Sequence, residues 1–205
     1  MTEIRRGTAE TLPPMLELPE TILGRPVPTD WLWWLVNVGY VLDSPLLWAE
    51  KHDILLLNVF GGIMPDREGE HLYGVLNFYF CGQELDKDAE PAPERLLDWK
   101  KDALRIWGDF RLYAGIDLKT ARMHWWEFRA IFDSLPPDSQ IMTAMRYRGI
   151  DLGTIPDAKE RARYARMKRS VALDRVDYEA EYDAAMDRPA NKSQVEISDF
   201  LGRQK

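Results

Sequence analysis

Residues 96–137 read LLDWKKDALRIWGDFRLYAGIDLKTARMHWWEFRAIFDSLPP. Within them Leu96, Trp99, Ala103, Trp107, Phe110 and Ala114 recur at spacings of three and four, the rhythm of one helix face, and Gly115 predicts the stop. Asp117 then offers a carboxylate to cap a second helix. In that helix Leu118, Ala121, Trp125, Phe128, Phe132 and Leu135 keep the rhythm until Pro136-Pro137. Two amphipathic helices across so short a link predict an antiparallel hairpin, and the fold around it is read as all-α.

Working toward the N-terminus, the only strand signal is Leu18–Pro28, where two short apolar pieces flank Gly24. It predicts a short β-hairpin or extended arm whose second strand is confined to an edge by Pro26 and Pro28. Thr29 or Asp30 can cap a helix over Trp31–Leu42 that is apolar on every face, hence central or covered by partners. Ser44-Pro45 predicts a restart, cap then first helical position, running to about Phe60 and stopping at Gly61-Gly62. A third helix after Pro65-Asp66 carries Leu72, Tyr73, Val75, Leu76, Tyr79 and Phe80 and ends at Gly82. Glu84–Glu90, with Pro91 and Pro93 behind it, reads as a solvated loop.

Toward the C-terminus, Asp138 or Ser139 starts a helix through Ile141, Met142 and Met145 that ends near Gly149. Beyond Pro156, Ala158–Arg188 is charged, with a thin stripe from Tyr164, Met167 and Val171 into Tyr178, Tyr182 and Met186. It predicts a projecting helix ended by Pro189. The expected organisation is a disordered arm over 1–14, a compact helical core over 15–156, a charged projecting helix over 157–188 and a flexible tail over 189–205.

Composition bounds the function. At 205 residues with 45% hydrophobic content and 8 Trp, the chain can bury a core as one domain. The longest apolar runs, Trp31–Leu42 and Ile54–Met64, are too short for a bilayer, and no signal peptide is expected in Met1–Pro14. One cysteine excludes an intramolecular disulfide and fits a reducing compartment. The net charge of -7 disfavours general nucleic-acid binding. Charge is nevertheless segregated. Residues 158–175 hold seven bases against two acids, and residues 176–188 five acids against one base.

Chemistry-bearing residues are sparse. His124 and Glu127 lie one turn apart and could share a metal or a proton, but His52 and His71 lack ligand-spaced companions, so a helix-surface hydrogen bond is the simpler reading. Cys81, behind Phe78-Tyr79-Phe80, reads as a buried small hydrophobe rather than a nucleophile. The glycine pairs fit neither a phosphate loop nor a dinucleotide fingerprint, and there is no nucleophile elbow. No enzyme, cofactor or metal is expected. Lys159, Arg161, Arg163, Arg166, Lys168 and Arg169 are read as spread around their helix, solvated or facing an acidic protein. The acidic continuation Asp177–Asp187 could pair with them in a neighbouring copy. Eight tryptophans exceed one modest core, and Trp125 and Trp126 are not expected to face the same way, so some should lie outward.

The segments Tyr-Ala-Gly-Ile-Asp-Leu (Tyr113–Leu118), His-Trp-Trp-Glu-Phe-Arg-Ala (His124–Ala130), Ser-Leu-Pro (Ser134–Pro136) and Ile-Met-Thr-Ala-Met-Arg-Tyr-Arg (Ile141–Arg148) resemble the bacteriophage Gp15 family. Looser likeness, including Asn77–Gly82 and Val171–Leu173, extends it over about 18–173.

The resemblance implies a tail-morphogenesis protein of long-tailed phages or prophages, acting as a tail assembly chaperone for the tape-measure protein and supplying no catalytic residues. Expected partners are the tape-measure protein, the major tail protein and further copies of this chain, in the bacterial cytoplasm and outside the mature virion. Competing readings are a structural tail or connector subunit retained in the virion, and a nucleic-acid-binding regulator. The partner-binding candidates are Trp33, Trp126, Met142 and Met145 as aromatic and adaptable apolar groups, with Arg161, Arg166 and Arg169 as the charged ones.

Overall fold

A computed structural model describes residues 18–83 and 95–173. The expected N-terminal arm, the acidic loop and everything beyond Leu173 lie outside the described residues. The described fold is mainly helical, with one small hairpin. Strands β1 (Thr21–Ile22) and β2 (Arg25–Pro26) pair antiparallel through a Leu23-Gly24 turn in which both residues have positive φ. That is the twist a two-residue hairpin loop requires. Ile22 is buried against helix α4 (Glu68–Tyr79), where the absence of a side chain on Gly74 makes room for its Cγ2.

Asp30 caps α1 (Trp31–Trp34), its Oδ1 accepting from the Leu32 and Trp33 N–H groups. The helix continues through a π-helical stretch (Leu35–Gly39) into α2 (Tyr40–Leu42). Trp31, Trp34, Leu35 and Val38 are buried, as an all-round apolar helix demands, and Asn58 of α3 (Trp48–Val59) donates to the Asn37 carbonyl. The expected restart at Ser44 is corrected. Ser44 Oγ donates back to the Val41 carbonyl, and α3 begins only at Trp48, where the Glu50 carboxylate accepts from the Leu47 N–H. Gly61 and Gly62 stop α3 with positive φ, as expected.

The decisive stretch is helical in two shorter pieces than its periodicity predicts. Leu96–Asp98 is irregular, because Asp98 Oδ1 accepts from the Lys100 and Lys101 N–H groups and makes a local turn. Helix α5 (Ala103–Asp109) follows, then a π-helical stretch (Phe110–Ala114) closed by Gly115 at φ 70°. Asp117 caps no long helix. Its carboxylate accepts from Trp107 Nε1 at 2.8 Å and Arg111 at 3.0 Å, and only a turn follows.

The chain then crosses to α1, where Trp31 N–H donates to the Met123 carbonyl and Trp125 N–H to the Thr29 carbonyl. Helix α6 (Trp125–Asp133) starts there. Instead of an antiparallel α5/α6 hairpin, α5 lies mainly against α7 (Gln140–Gly149), and α6 lies against α1 and the π-helical end of α5.

Helix α7 starts at Ser139 as expected, and a second cap comes from across the fold. The buried Asp109 carboxylate accepts from the N–H groups of Gln140 at 3.1 Å and Ile141 at 2.8 Å. A 3-10 turn (Leu152–Thr154) leads to α8 (Ala158–Ser170), capped by Asp157 and packed on α7. The predicted run to Arg188 is interrupted, since the helix ends at Ser170 with Val171 as its cap. Rings fill the centre. Phe128 stacks on Trp31 at 4.8 Å and Phe110 at 5.0 Å, and Trp34 stacks on Phe78 at 4.4 Å. Among the described residues no helix is long and apolar enough to cross a membrane.

Candidate partner-binding surface

Tryptophan placement is the first filter on any surface. Trp31, Trp34, Trp99 and Trp125 are buried, Trp33, Trp107 and Trp126 are half-buried, and Trp48 is 55% exposed. Sequence neighbours Trp125 and Trp126 do reach the same target, contrary to expectation. Their Nε1 atoms donate at 2.8 Å to the consecutive carbonyls of Tyr79 and Phe78. These carbonyls belong to the last turn of α4, where helical i→i−4 donors run out and Phe78 has a tighter bond from the Cys81 N–H instead, so the first turn of α6 clamps the end of α4.

The expected partner residues fall into two groups. Trp33, Trp126, Met142 and Met145 are half-buried and pack against the core, with Trp33 edge-on to Trp34 at 5.7 Å. Arg161, Arg166 and Arg169 are exposed on α8. The first group lies on α1, α6 and α7, the last of which packs against the charged helix.

A more open apolar surface escaped the sequence reading. Leu104 is 78% exposed and Leu112 is 71% exposed, eight residues apart along α5 and its π-helical continuation, with Tyr113 at 44% beside Leu112. Ile106 and Phe110 of the same segment point inward and are buried. Trp107 borders this face, with Arg111 5.6 Å and Lys119 4.6 Å from its ring. The signal was present as two leucines on the face opposite the aromatic stripe, an arrangement a solvated helix face does not need.

The candidate chemical residues are absorbed by structure. His124 Nδ1 accepts from the Trp126 N–H and Nε2 faces the Pro19 carbonyl at 2.8 Å. The carbonyl can only accept, so Nε2 donates, and both ring nitrogens are engaged. Glu127 is exposed in the first turn of α6, where a carboxylate suits the helix dipole. Cys81 is half-buried with φ 57°, and burial pushes its thiol up to about 11. Among the described residues no group of three or more His, Cys, Asp and Glu could hold a metal ion.

The basic residues of α8 are sorted rather than spread. Lys168 donates to the Ile150 carbonyl against the body, and Arg161, though exposed, turns back to the Ile155 carbonyl. Lys159, Arg163, Arg166 and Arg169 are exposed and follow one another at spacings of four, three and three, which sets them on one outward face.

No curated protein and no solved structure matches this chain. Residues 75–173 match the family described as Bacteriophage Gp15 protein, a span that enters in α4 at Val75 and contains α5, α6, α7 and α8. The hairpin and α1 to α3 lie before it, so the N-terminal part of the likeness read from sequence falls outside the match. That span, which holds both the Leu104–Leu112 face and the basic face of α8, is similar to the bacteriophage Gp15 family, and the match supports a phage protein.

Proposed function

We propose that this protein is a non-catalytic factor of phage tail morphogenesis, a tail assembly chaperone that keeps the tape-measure protein soluble before the tube forms around it. The observation that carries the reading is the exposed Leu104–Leu112 face with Tyr113 beside it, borne on a helix whose opposite side is anchored in the core. Such a face can receive the apolar stripe of an amphipathic helix, and a long helical chain awaiting assembly presents many such stripes. The family match over residues 75–173 supports the phage context, and the hydrogen bonds of His124 fit a protein that acts by binding alone. The work is done in the cytoplasm of the bacterial host, with several copies along one client.

Co-expression with the tape-measure protein of the same phage tests this. A soluble complex is expected, and the L104E/L112E variant, folded to the same melting temperature, should leave the client in the pellet. Aggregation of the client with the unsubstituted chain would sink the reading. Finding the protein at stoichiometric level in purified particles would favour a retained tail or connector subunit instead.

A further inference from the structure

The end of α8 at Ser170 changes what the acidic C-terminal stretch can do. On one continuous helix from Ala158 to Arg188, acids and bases lie at different heights of a single rod and can meet only in another copy. The helix instead stops, and the Val171 carbonyl accepts from Arg148 Nε at 2.7 Å, so the chain leaves the body from a pinned point. Lys159, Arg163, Arg166 and Arg169 present an outward face, and no carboxylate among the described residues is within ion-pair reach of any of them. Beginning four residues beyond Leu173, the chain carries Asp177, Glu179, Glu181, Asp183 and Asp187.

We propose that the acidic stretch 177–187 docks on the outward basic face of α8 in its own chain. Reach is sufficient. From Lys159 to Arg169 the face spans about 15 Å at 1.5 Å per residue, whereas the fourteen residues from Leu173 to Asp187 can extend to about 46 Å. The tether makes encounter intramolecular, at an effective concentration on the order of millimolar, well above that of a second copy in dilute solution. Charge complementarity supplies the attraction, since residues 158–175 hold seven bases against two acids in a chain that is acidic overall.

Carbodiimide coupling, which joins an amine to a carboxylate in contact, tests this on the full-length protein mixed in equal parts as unlabelled and 15N-labelled copies. Lys159 should couple to carboxylates of 177–187 in peptides of uniform isotope content. The yield should fall severalfold in 1 M NaCl, where the screening length shrinks to about 3 Å. It should fall likewise in the R163E/R166E variant, whose substituted side chains lie outside the core. Peptides joining labelled to unlabelled copies would overturn the intrachain assignment in favour of a second copy. Absence of coupling at Lys159, or coupling indifferent to salt and to charge reversal, would overturn the docking itself.

Discussion

Arg148 lays its guanidinium fork on Asp102, with Nη1 2.6 Å from Oδ2 and Nη2 2.9 Å from Oδ1, and both side chains are withdrawn from solvent. The same guanidinium donates to the Leu96 and Val171 carbonyls, each at 2.7 Å. One cation thus ties the turn before α5, helix α7 and the end of α8.

Replacing that cation should expose how much the junction depends on it. Arg148→Met leaves Asp102 buried beside only the partly exposed Arg105 and strips two carbonyls of their donor, a loss of about 3–5 kcal/mol. Burial works against the charge on Asp102, but the hydrogen bonds from Arg148 and the Asp98 N–H, with the charges of Arg148 and Arg105, outweigh it and hold the carboxyl below its ordinary range. The stability this contributes is therefore complete above the unfolded value of about 3.9 and disappears as pH falls through the lower folded value. Urea unfolding should show the full deficit of Arg148→Met at pH 7 and a narrower one once pH has fallen through the lowered folded value of Asp102. A deficit constant across that range would refute the linkage.

Two glycines of α4 should respond with opposite signs. A Cβ at Gly69 meets nothing within 4 Å, so Gly69→Ala should raise stability by up to about 1 kcal/mol through helix propensity. A Cβ at Gly74 would overlap Ile22 Cγ2, on a stiff β-branched side chain that seats the hairpin. There the overpacking cost of about 1–3 kcal/mol exceeds the propensity gain, and Gly74→Ala should lower the melting temperature. Thermal unfolding of the pair by circular dichroism decides it.

Those two positions show why the sequence is only partly legible. Caps that act within their own helix, Asp30 and Ser139, and the glycine stops at Gly61-Gly62 and Gly115, are readable because partner and signal are neighbours. Asp117 misled because its Oδ1 does accept from the Lys119 N–H as a cap would, but shares that oxygen with Trp107 Nε1, and only a turn follows. The second cap of α7 could not be read at all, since Asp109 precedes Ile141 by 32 residues. For the same reason the α8 bases look scattered until Ile150 and Ile155 have taken Lys168 and Arg161. The exposed Leu104–Leu112 face is masked in the sequence by the stronger aromatic stripe opposite it.

Cys81 should be a slow thiol. Burial raises it to about 11, with Arg129 pulling it down and Asp133 pushing it further up, so at pH 7.5 the thiolate is scarcer than in a free cysteine by a factor on the order of 10². Iodoacetamide alkylation of the folded protein should be slower by about that factor and climb roughly tenfold per pH unit toward pH 10. Unfolding in urea should restore the rate of a free thiol. Rapid alkylation of the native protein at neutral pH would show that the thiol is not buried as described.

The tryptophan clamp predicts an order between adjacent substitutions. Trp125 is fully buried, stacks on Tyr79 at 5.0 Å and donates to the Tyr79 carbonyl. The Phe78 carbonyl that Trp126 serves also accepts from the Cys81 N–H at 3.2 Å, and Trp126 is half-buried. Trp126→Phe should therefore cost about 1 kcal/mol, the worth of one replaceable hydrogen bond. Trp125→Phe leaves a buried carbonyl without its strong donor and a void where the larger ring stood, so its cost should reach about 3 kcal/mol. Urea midpoints at unchanged slope would give the two values. The reverse order would mean that the end of α4 is held through Trp126, and that the stack of Trp125 on Tyr79 follows from the clamp instead of forming it.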